Sequence, residues 1–417
     1  MSSSSLPVTT RCIVLTKASS SVKPALHDTS VKLRDIPALK ENEVLVKMVA
    51  AAFNHRELWQ KKDLYPGIED NSVIGCDGSG LVIASSNATD PLLHKRVFLT
   101  PSRGWKKDPR GPEKRFAVIG GAAYPPIGTM CEYVVVERDE LIEVPQHLSF
   151  EQAAAWPCAG ITAYRAVFVK GLVASGQNVL ITGIGGGVAL TALQLCVAAG
   201  ANVYVTSSSE EKIKRAVDEF GAKGGVNYKN QDWPKELHAL LKEKVASNGG
   251  GGSNSSDLDV IIDQAGGDIC GKTIRMLRLG AIIVCFGMHA ERMIPFTMPN
   301  VLKNIELKGT RYISELANLI STQLPPASAF RPHFLSLTIP PSTISSFPLF
   351  STPVGSTMGS QAELVEATNF IAKHKIIPQI SHILDGLDDA ERGFELLEDG
   401  SSMGKIVVRI TPKDAKL

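Results

Sequence analysis

Between Val179 and Gly187 the chain reads Val-Leu-Ile-Thr-Gly-Ile-Gly-Gly-Gly. An apolar run ends in Gly183, Gly185, Gly186 and Gly187. Val188 then opens a stretch (Val188, Ala189, Leu190, Leu193, Leu195, Val197) that fits a helix buried along much of its surface. Glycines at such a turn let backbone N–H groups approach a pyrophosphate, and a helix N-terminus adds partial positive charge. Gly200 stops the helix, and Val203-Tyr204-Val205-Thr206 reads as the next strand. Strand, glycine loop, helix and strand make one βαβ unit. A glycine triplet alone is a weak signal. In this setting it reads as a dinucleotide cradle, against the blander alternative of a plain strand–helix turn.

The elements that must position this loop follow from the pattern around it. Arg11–Lys17, Glu43–Ala52, Arg96–Thr100 and Met130–Val136 read as strands, and Val73–Ile83, with Gly75, Gly78 and Gly80, as a bent or bulged one. Short strands with Gly and Pro turns predict a small β-rich domain over residues 1–150. Ser149-Phe150-Glu151-Gln152 is a capping box that opens a helix from Ala153 to Val169, interrupted around Pro157–Gly160. Strands then alternate with helical stretches: Asn178–Ile181, Asn202–Thr206, Gly225–Tyr228, Leu258–Asp263, Gly280–Phe286 and Ile305–Lys308. That alternation predicts an α/β fold with a doubly wound parallel sheet over 151–377. Helices at Gln361–His374 and Leu387–Leu397 and a strand at Gly404–Ile410 close the chain. This last strand is expected to return to the first domain's sheet, so that 378–417 completes it. Pro101–Pro126, rich in Gly, Pro, Lys and Arg, reads as a long surface loop, either over the active site or merely solvated. Asn248–Ser256 reads as a flexible surface insertion.

Composition narrows the partners. Lys+Arg number 44 against 42 Asp+Glu in 417 residues, a balance that argues against nucleic acid or an anionic membrane. No apolar run reaches the length of a membrane span, and the Ser-rich start has no basic and apolar regions of a signal peptide. Seven scattered cysteines, several within apolar patterns, read as buried reduced thiols of a cytoplasmic protein. The expected partner is a small-molecule substrate.

Several motifs, in this order, resemble the medium-chain dehydrogenase/reductase superfamily: Ala51-Ala52-Phe53-Asn54-His55-Arg56-Glu57-Leu58-Trp59, Gly75-Cys76-Asp77-Gly78-Ser79-Gly80, Pro157-Cys158-Ala159-Gly160-Ile161-Thr162-Ala163-Tyr164, the glycine loop, and Gly404-Lys405-Ile406-Val407-Val408. The resemblance implies a GroES-like β domain carrying the substrate and a Rossmann domain carrying a nicotinamide cofactor, with the active site between them. It also implies that Thr162 lies near the nicotinamide. Loops after the fourth and fifth Rossmann strands, with Ala265, Gly287 and Met288, would line the nucleotide. Such enzymes are often homodimers through the Rossmann sheet edge. The zinc-ligating Cys of zinc alcohol dehydrogenases is here Asn54, and their Gly-His-Glu is Gly75-Cys76-Asp77. A catalytic zinc needs about three protein ligands. Cys76 and Asp77 do not supply them, and Cys158 is flanked by apolar residues. No metal is expected, and the match is to the zinc-free branch that resembles quinone oxidoreductases and enoyl reductases.

NADPH is expected over NADH. Where an NAD site places Asp or Glu on the ribose 2′-hydroxyl, this chain has Thr206-Ser207-Ser208-Ser209, then Lys212. Hydroxyls and an ammonium suit a 2′-phosphate, and Tyr228 matches a position where related reductases bring a tyrosine to it. The serines equally suit a helix N-cap. Without a metal, reduction of a conjugated C=C is favoured, because charge spreads into an enolate that hydrogen-bond donors can hold. Asn54, Trp59 and Tyr65 are the candidate catalytic contacts by resemblance, with Tyr65 as proton or hydrogen-bond donor and Asn54 as hydrogen-bond donor. Glu57 and His55 read as loop and surface residues. The alternatives are an alcohol dehydrogenase on a small secondary alcohol, or a nucleotide-binding protein without turnover.

After Ile305-Glu306-Leu307-Lys308-Gly309 the family continues almost at once with a motif like Ser356-Thr357-Met358-Gly359-Ser360. Here Thr310–Gly355 intervenes, dominated by Ser, Pro, Phe, Leu and Thr. Ser345–Pro353 is what a pyrimidine-rich tract encodes, and Gly309-Thr310-Arg311 can be encoded by a 5′ splice site. The insertion at 310–355 is therefore either a retained intron or a genuine loop.

Overall fold

The structure, a computed structural model, describes residues 6–19, 26–247, 256–287, 294–309 and 358–412, with 244–247 as backbone only. The insertion at 310–355, the tract 248–255 and Met288 lie outside the described residues.

The chain builds a GroES-like β unit and a Rossmann-type parallel sheet. In the second, six strands are all parallel, in the spatial order Gly224–Asn227, Asn202–Ser207, Asn178–Ile181, Leu258–Asp263, Leu277–Cys285, Glu306–Gly309. Helices cover both faces, so the strands are near-continuous apolar runs: Val179, Leu180, Ile181, Val203 and Val205 are all fully buried. The order reverses between Asn178–Ile181 and Leu258–Asp263. Ligands of such sheets bind outside the strand ends at this switch point.

In the first unit, Glu43–Ala52 is the central strand of a seven-stranded sheet and pairs antiparallel with Asp77–Ser85 and Tyr133–Glu137. The last strand, Lys405–Arg409, does return here, pairing Val407 with Ala52 and Val408 with Ala51. The Ala50-Ala51-Ala52 run is fully buried, and Ala50 and Ala52 pack with Ala154, Ala155 and Val407. Small side chains let the Phe150–Ala154 helix lie close to the sheet.

Three expectations need correction. The bent strand is two strands, Ser72–Val73 and Asp77–Ser85, broken at Gly75. There φ is +90°, and a Cβ would stand 2.6 Å from Thr129 Oγ1. This kink turns Cys76 and Asp77 inward. The helix interruption falls earlier than expected, at Ala155-Trp156, because Pro157 starts a new helix and has no N–H to extend the old one. The strand Asp28–Asp35 escaped the reading: its Asp-Thr-Ser-Val-Lys-Leu-Arg-Asp is largely exposed and carries little apolar signal.

The Pro101–Pro126 stretch is neither a free loop nor merely solvated. Trp105 is 4% exposed, and the carbonyls of Trp105 and Lys106 accept the N–H groups of Gln361 and Ala362. Arg165, from the segment after the Pro157–Tyr164 helix, lies 4.7 Å over the Trp105 ring, donates to the Pro109 carbonyl and pairs with Glu363. The stretch is a strap from the β unit to the Gln361–His374 helix. Its tip is held by Glu113, whose carboxylate accepts the N–H groups of Lys106, Lys107 and Asp108, each at 2.7 Å. These donors, Lys107 foremost, hold the Glu113 carboxyl at about 2. A depressed carboxyl stabilises its folded contacts above the ordinary carboxylate range and loses that effect as pH falls toward the folded value. Hydrogen-exchange protection of the Lys106–Asp108 amides, corrected for intrinsic rates, should therefore fall between about pH 4.5 and 2. Glu113→Gln should show the same loss at neutral pH. Protection that does not change in either case would contradict the clamp.

No helix among the described residues is long and apolar enough to cross a membrane.

Candidate active site

The glycine loop sits at the switch point. Gly183 has φ +64°, and its N–H donates to Thr206 Oγ1 at 3.1 Å. A Cβ on Gly183 would meet Gln264 Nε2 at 2.4 Å, so the turn admits only glycine without rearrangement. Gly185 has φ +142°, Gly186 caps the helix, and Gly187 and Val188 begin Gly187–Ala198. On the other side of the switch point Asp263 is fully buried. It accepts Thr182 Oγ1–H at 2.7 Å and the N–H groups of Ala265 and Gly266. Burial pushes its carboxyl up. Asp263 thus shapes the loop that carries Ala265. Thr162 is 8% exposed, on the Pro157–Tyr164 helix. Gly287 follows the Leu277–Cys285 strand at the sheet's carboxyl end.

The C-terminal segment reaches the same loop. Gly404 N–H donates to the Gly185 carbonyl at 2.8 Å, and the Lys405 side chain lies where a Cβ on Gly187 would be, 2.7 Å from its Cδ. Lys212 is already engaged: its ammonium donates to the carbonyls of Gly400 and Ser402 at 3.0 and 3.1 Å. Ser207 is buried and accepts the Ser209 N–H, Ser208 is half-buried, and Tyr228 is 48% exposed at the end of the neighbouring strand. Ser209 is the N-cap of Glu210–Asp218, so the capping alternative holds at that serine.

Where the β unit meets this crevice, five polar side chains converge. Asn54 precedes the His55–Lys61 helix, and its N–H is capped by Glu57 Oε2 at 2.7 Å. Lys405 Nζ donates to Asn54 Oδ1 at 2.5 Å and to Asp77 Oδ2 at 2.9 Å. Asn54 Nδ2 donates to Asp77 Oδ2 at 2.9 Å and approaches Cys76 Sγ at 3.4 Å. An ammonium only donates, so it fixes which end of the Asn54 amide faces it. Asp77 Oδ1 accepts the Cys158 N–H at 2.8 Å. Asp77 is fully buried and Lys405 is 6% exposed. Burial works against the Lys405 charge, but the acidic groups around it, Asp77 first and then Cys158 and Cys76, together outweigh burial and hold the ammonium above the ordinary lysine range.

The sequence singles out Asn54, as a donor to substrate, and leaves two other members of this cluster unmarked. Cys158, set aside for its apolar neighbours, has its sulfur within 4.8 Å of the Cys76 sulfur and an Asp77 oxygen. Lys405 was known only as part of a motif. A lysine in the run Lys-Ile-Val-Val-Arg needs a buried partner, and that was the available signal.

Cys76, Asp77 and Cys158 are the one group among the described residues able to hold a metal ion. They fit a catalytic zinc poorly. Both Asp77 oxygens are committed, the next side chain in reach is an amide, and an ammonium already pairs with the Asp77 carboxylate. A divalent ion about 4 Å from that ammonium meets a repulsion of about 8 kcal/mol at an effective dielectric constant near 20.

Trp59 and Tyr65 lie on and just after the Asn54-capped helix and are half-buried. Trp59 packs edge-on against His55, which is exposed. The Arg56 guanidinium stacks 4.9 Å over the Tyr65 ring. Arg56 also pairs with buried Glu57 at 2.8 Å and donates to the carbonyls of Ile119 and Gly120, so Glu57 serves to hold this loop to the strap.

Known proteins resemble the chain throughout. Residues 40–146 match the alcohol dehydrogenase GroES-like domain and residues 187–324 the zinc-binding dehydrogenase family. The zinc-type alcohol dehydrogenase-like protein YogA of Leptosphaeria maculans is 38% identical over 387 residues, 90% of this chain and 92% of that protein. The crystal structure of an NAD-dependent alcohol dehydrogenase superposes with a TM-score of 0.72 at 26% identity, covering 96% of this chain and all of the other. A crotonyl-CoA carboxylase/reductase in complex with NADP shares the fold, with a TM-score of 0.73 at 19% identity over 97% of this chain and 96% of that one.

Proposed function

The chain belongs to the medium-chain dehydrogenase/reductase superfamily, and from that premise we propose that it is an NADPH-dependent reductase of conjugated carbonyl compounds or quinones that works without a metal. The observation that carries this reading is the buried Lys405–Asp77–Asn54 net, which stands where a metal-dependent relative needs open ligands. Bound nicotinamide would supply the hydride. The chain's own residues bind, orient and exclude water. Hydride addition to a β-carbon leaves charge spread over an enolate, which hydrogen-bond donors can stabilise. Tyr65 is the proposed donor to the carbonyl, and Trp59 the apolar wall beside it. Asn54, whose two amide protons face Asp77 and Cys76, acts by holding the floor of the site. The glycine loop, Thr162, Ala265, Gly287 and Met288 take the nicotinamide and pyrophosphate, and Ser207, Ser208, Lys212 and Tyr228 the 2′-phosphate.

Seven free thiols fit a reducing, cytoplasmic setting. Exposed Leu279, Met298 and Leu302 beside the outermost strand of the parallel sheet support a homodimer through that edge.

A second reading, a zinc alcohol dehydrogenase, is favoured by one observation: three ligand atoms of Cys76, Asp77 and Cys158 within 4.8 Å. One experiment separates the two. Purified full-length protein is assayed for zinc, titrated with NADPH and NADH, and screened for NADPH oxidation with enones, enals and quinones. Substoichiometric zinc, NADPH binding at least about tenfold tighter than NADH (roughly 1.4 kcal/mol), and enone- or quinone-dependent turnover are expected. One zinc per chain with alcohol oxidation would overturn the proposal.

A further inference from the structure

All seven cysteines are free, and three pairs of them are neighbours. Cys12 and Cys131 face each other across a β-bridge. Cys270 and Cys285 flank Asp263. All four of these residues are buried, at 0 to 4% exposure. In the third pair, Cys76 and Cys158, the sulfurs lie within 4.8 Å of each other. Cys158 is half-buried, so one sulfur of the pair lies within reach of small solutes. The Lys405 ammonium, 2.9 Å from the Asp77 carboxylate, belongs to the same cluster, and Cys158 occupies the first turn of the Pro157–Tyr164 helix.

We propose that Cys76 and Cys158 form a reversible thiol-oxidation site, in which Cys158 reacts with a peroxide and Cys76 resolves it to a disulfide. The Cys158 thiolate attacks one peroxide oxygen. An S–O bond forms, the O–O bond breaks, sulfur loses two electrons and the departing oxygen leaves as hydroxide. Cys76 sulfur then attacks the Cys158 sulfenic sulfur. The S–S bond forms, the S–O bond breaks, and the leaving hydroxide takes the Cys76 proton as water. A dithiol reductant reverses the sequence. Cys76 is fully buried and Cys158 half-buried, so a peroxide meets Cys158 first and Cys76 is placed for the second step. The bond would tie the lead-in of the Asp77–Ser85 strand to the helix whose Ala159 abuts Gly187 of the glycine loop. The site does not depend on which substrate the protein reduces.

The test uses the full-length protein, free of added metal. It is treated with hydrogen peroxide at one to ten equivalents, alkylated and mapped by mass spectrometry. One disulfide, Cys76 to Cys158, is expected to form at least about tenfold faster than the other five thiols are lost. Dithiothreitol should reverse it. Cys76→Ser should instead accumulate a Cys158 sulfenic acid that dimedone traps, and Cys158→Ser should leave Cys76 unreacted. The wild-type map decides the matter even if a variant misfolds. A different pairing, an unreacted Cys158, or Cys158 running on to sulfinic acid beside a reduced Cys76 would each overturn the proposal.

Discussion

Lys405→Met should destabilise the protein by about 3–5 kcal/mol, because it leaves the Asp77 carboxylate buried with no counter-charge. Asp77 has no exposed surface, and the ammonium is one of three donors to it, with Asn54 Nδ2 and the Cys158 N–H. Loss of the cation leaves two neutral donors for a charge taken wholly out of water. Asp77→Asn alone should cost a similar amount, since it strands a buried ammonium. The pair Asp77→Asn with Lys405→Met should recover much of the loss, because two neutral side chains of similar size replace two charges. Urea unfolding of the wild type, both single variants and the double variant gives the coupling directly. Near-additive losses would mean the two residues do not act as a pair. Activity should fall in all three variants, since Lys405 also sets the Asn54 amide and packs against Gly187.

That ion pair also marks the limit of what could be read in the sequence. The Rossmann half was legible because its signals are local. Apolar runs such as Leu258–Asp263 are bounded by glycine turns, and the observed strand keeps the expected ends. The Gln361–His374 helix announces itself in the same way, with Ser360 as its cap and an apolar stripe. The site is different, since it is assembled from contacts between residues 328 positions apart, Lys405 with Asp77, and 81 apart, Cys158 with Asp77. No periodicity carries such information. Arg165 shows the same gap: nothing near it in the chain predicts Glu363 or the Trp105 ring as partners. The strap shows the same limit: its composition is that of a solvated surface loop, and its fixed path comes from distant partners, among them Gln361, Ala362, Arg165 and Arg56, together with the clamp at Glu113.

The proposed cofactor choice leads to the other large effect. Ser207→Asp should invert nucleotide preference by roughly a thousandfold in the ratio of dissociation constants. Ser207 ends the Asn202–Ser207 strand, next to the glycine loop in the parallel sheet. An acid at this point of a Rossmann unit accepts the ribose 2′-hydroxyl, worth about 1–1.5 kcal/mol to NADH. The same carboxylate about 5 Å from a doubly charged 2′-phosphate costs about 3 kcal/mol at an effective dielectric constant near 40. The two effects act in opposite directions on the two nucleotides, so their ratio moves by the sum. A carboxylate can take the Ser209 N–H that the Ser207 hydroxyl takes now, and the change gives up only the hydroxyl's 3.4 Å donation to the Ile184 carbonyl. Lys212→Ala is the less clean probe. Its ammonium also ties down Gly400 and Ser402, so its loss loosens the segment that contacts the glycine loop and weakens both nucleotides. Titration of Ser207→Asp by NADPH and NADH fluorescence checks the expectation. An unchanged NADPH affinity would place the 2′-phosphate elsewhere, and a wild type that already prefers NADH would remove the basis for the choice of nucleotide.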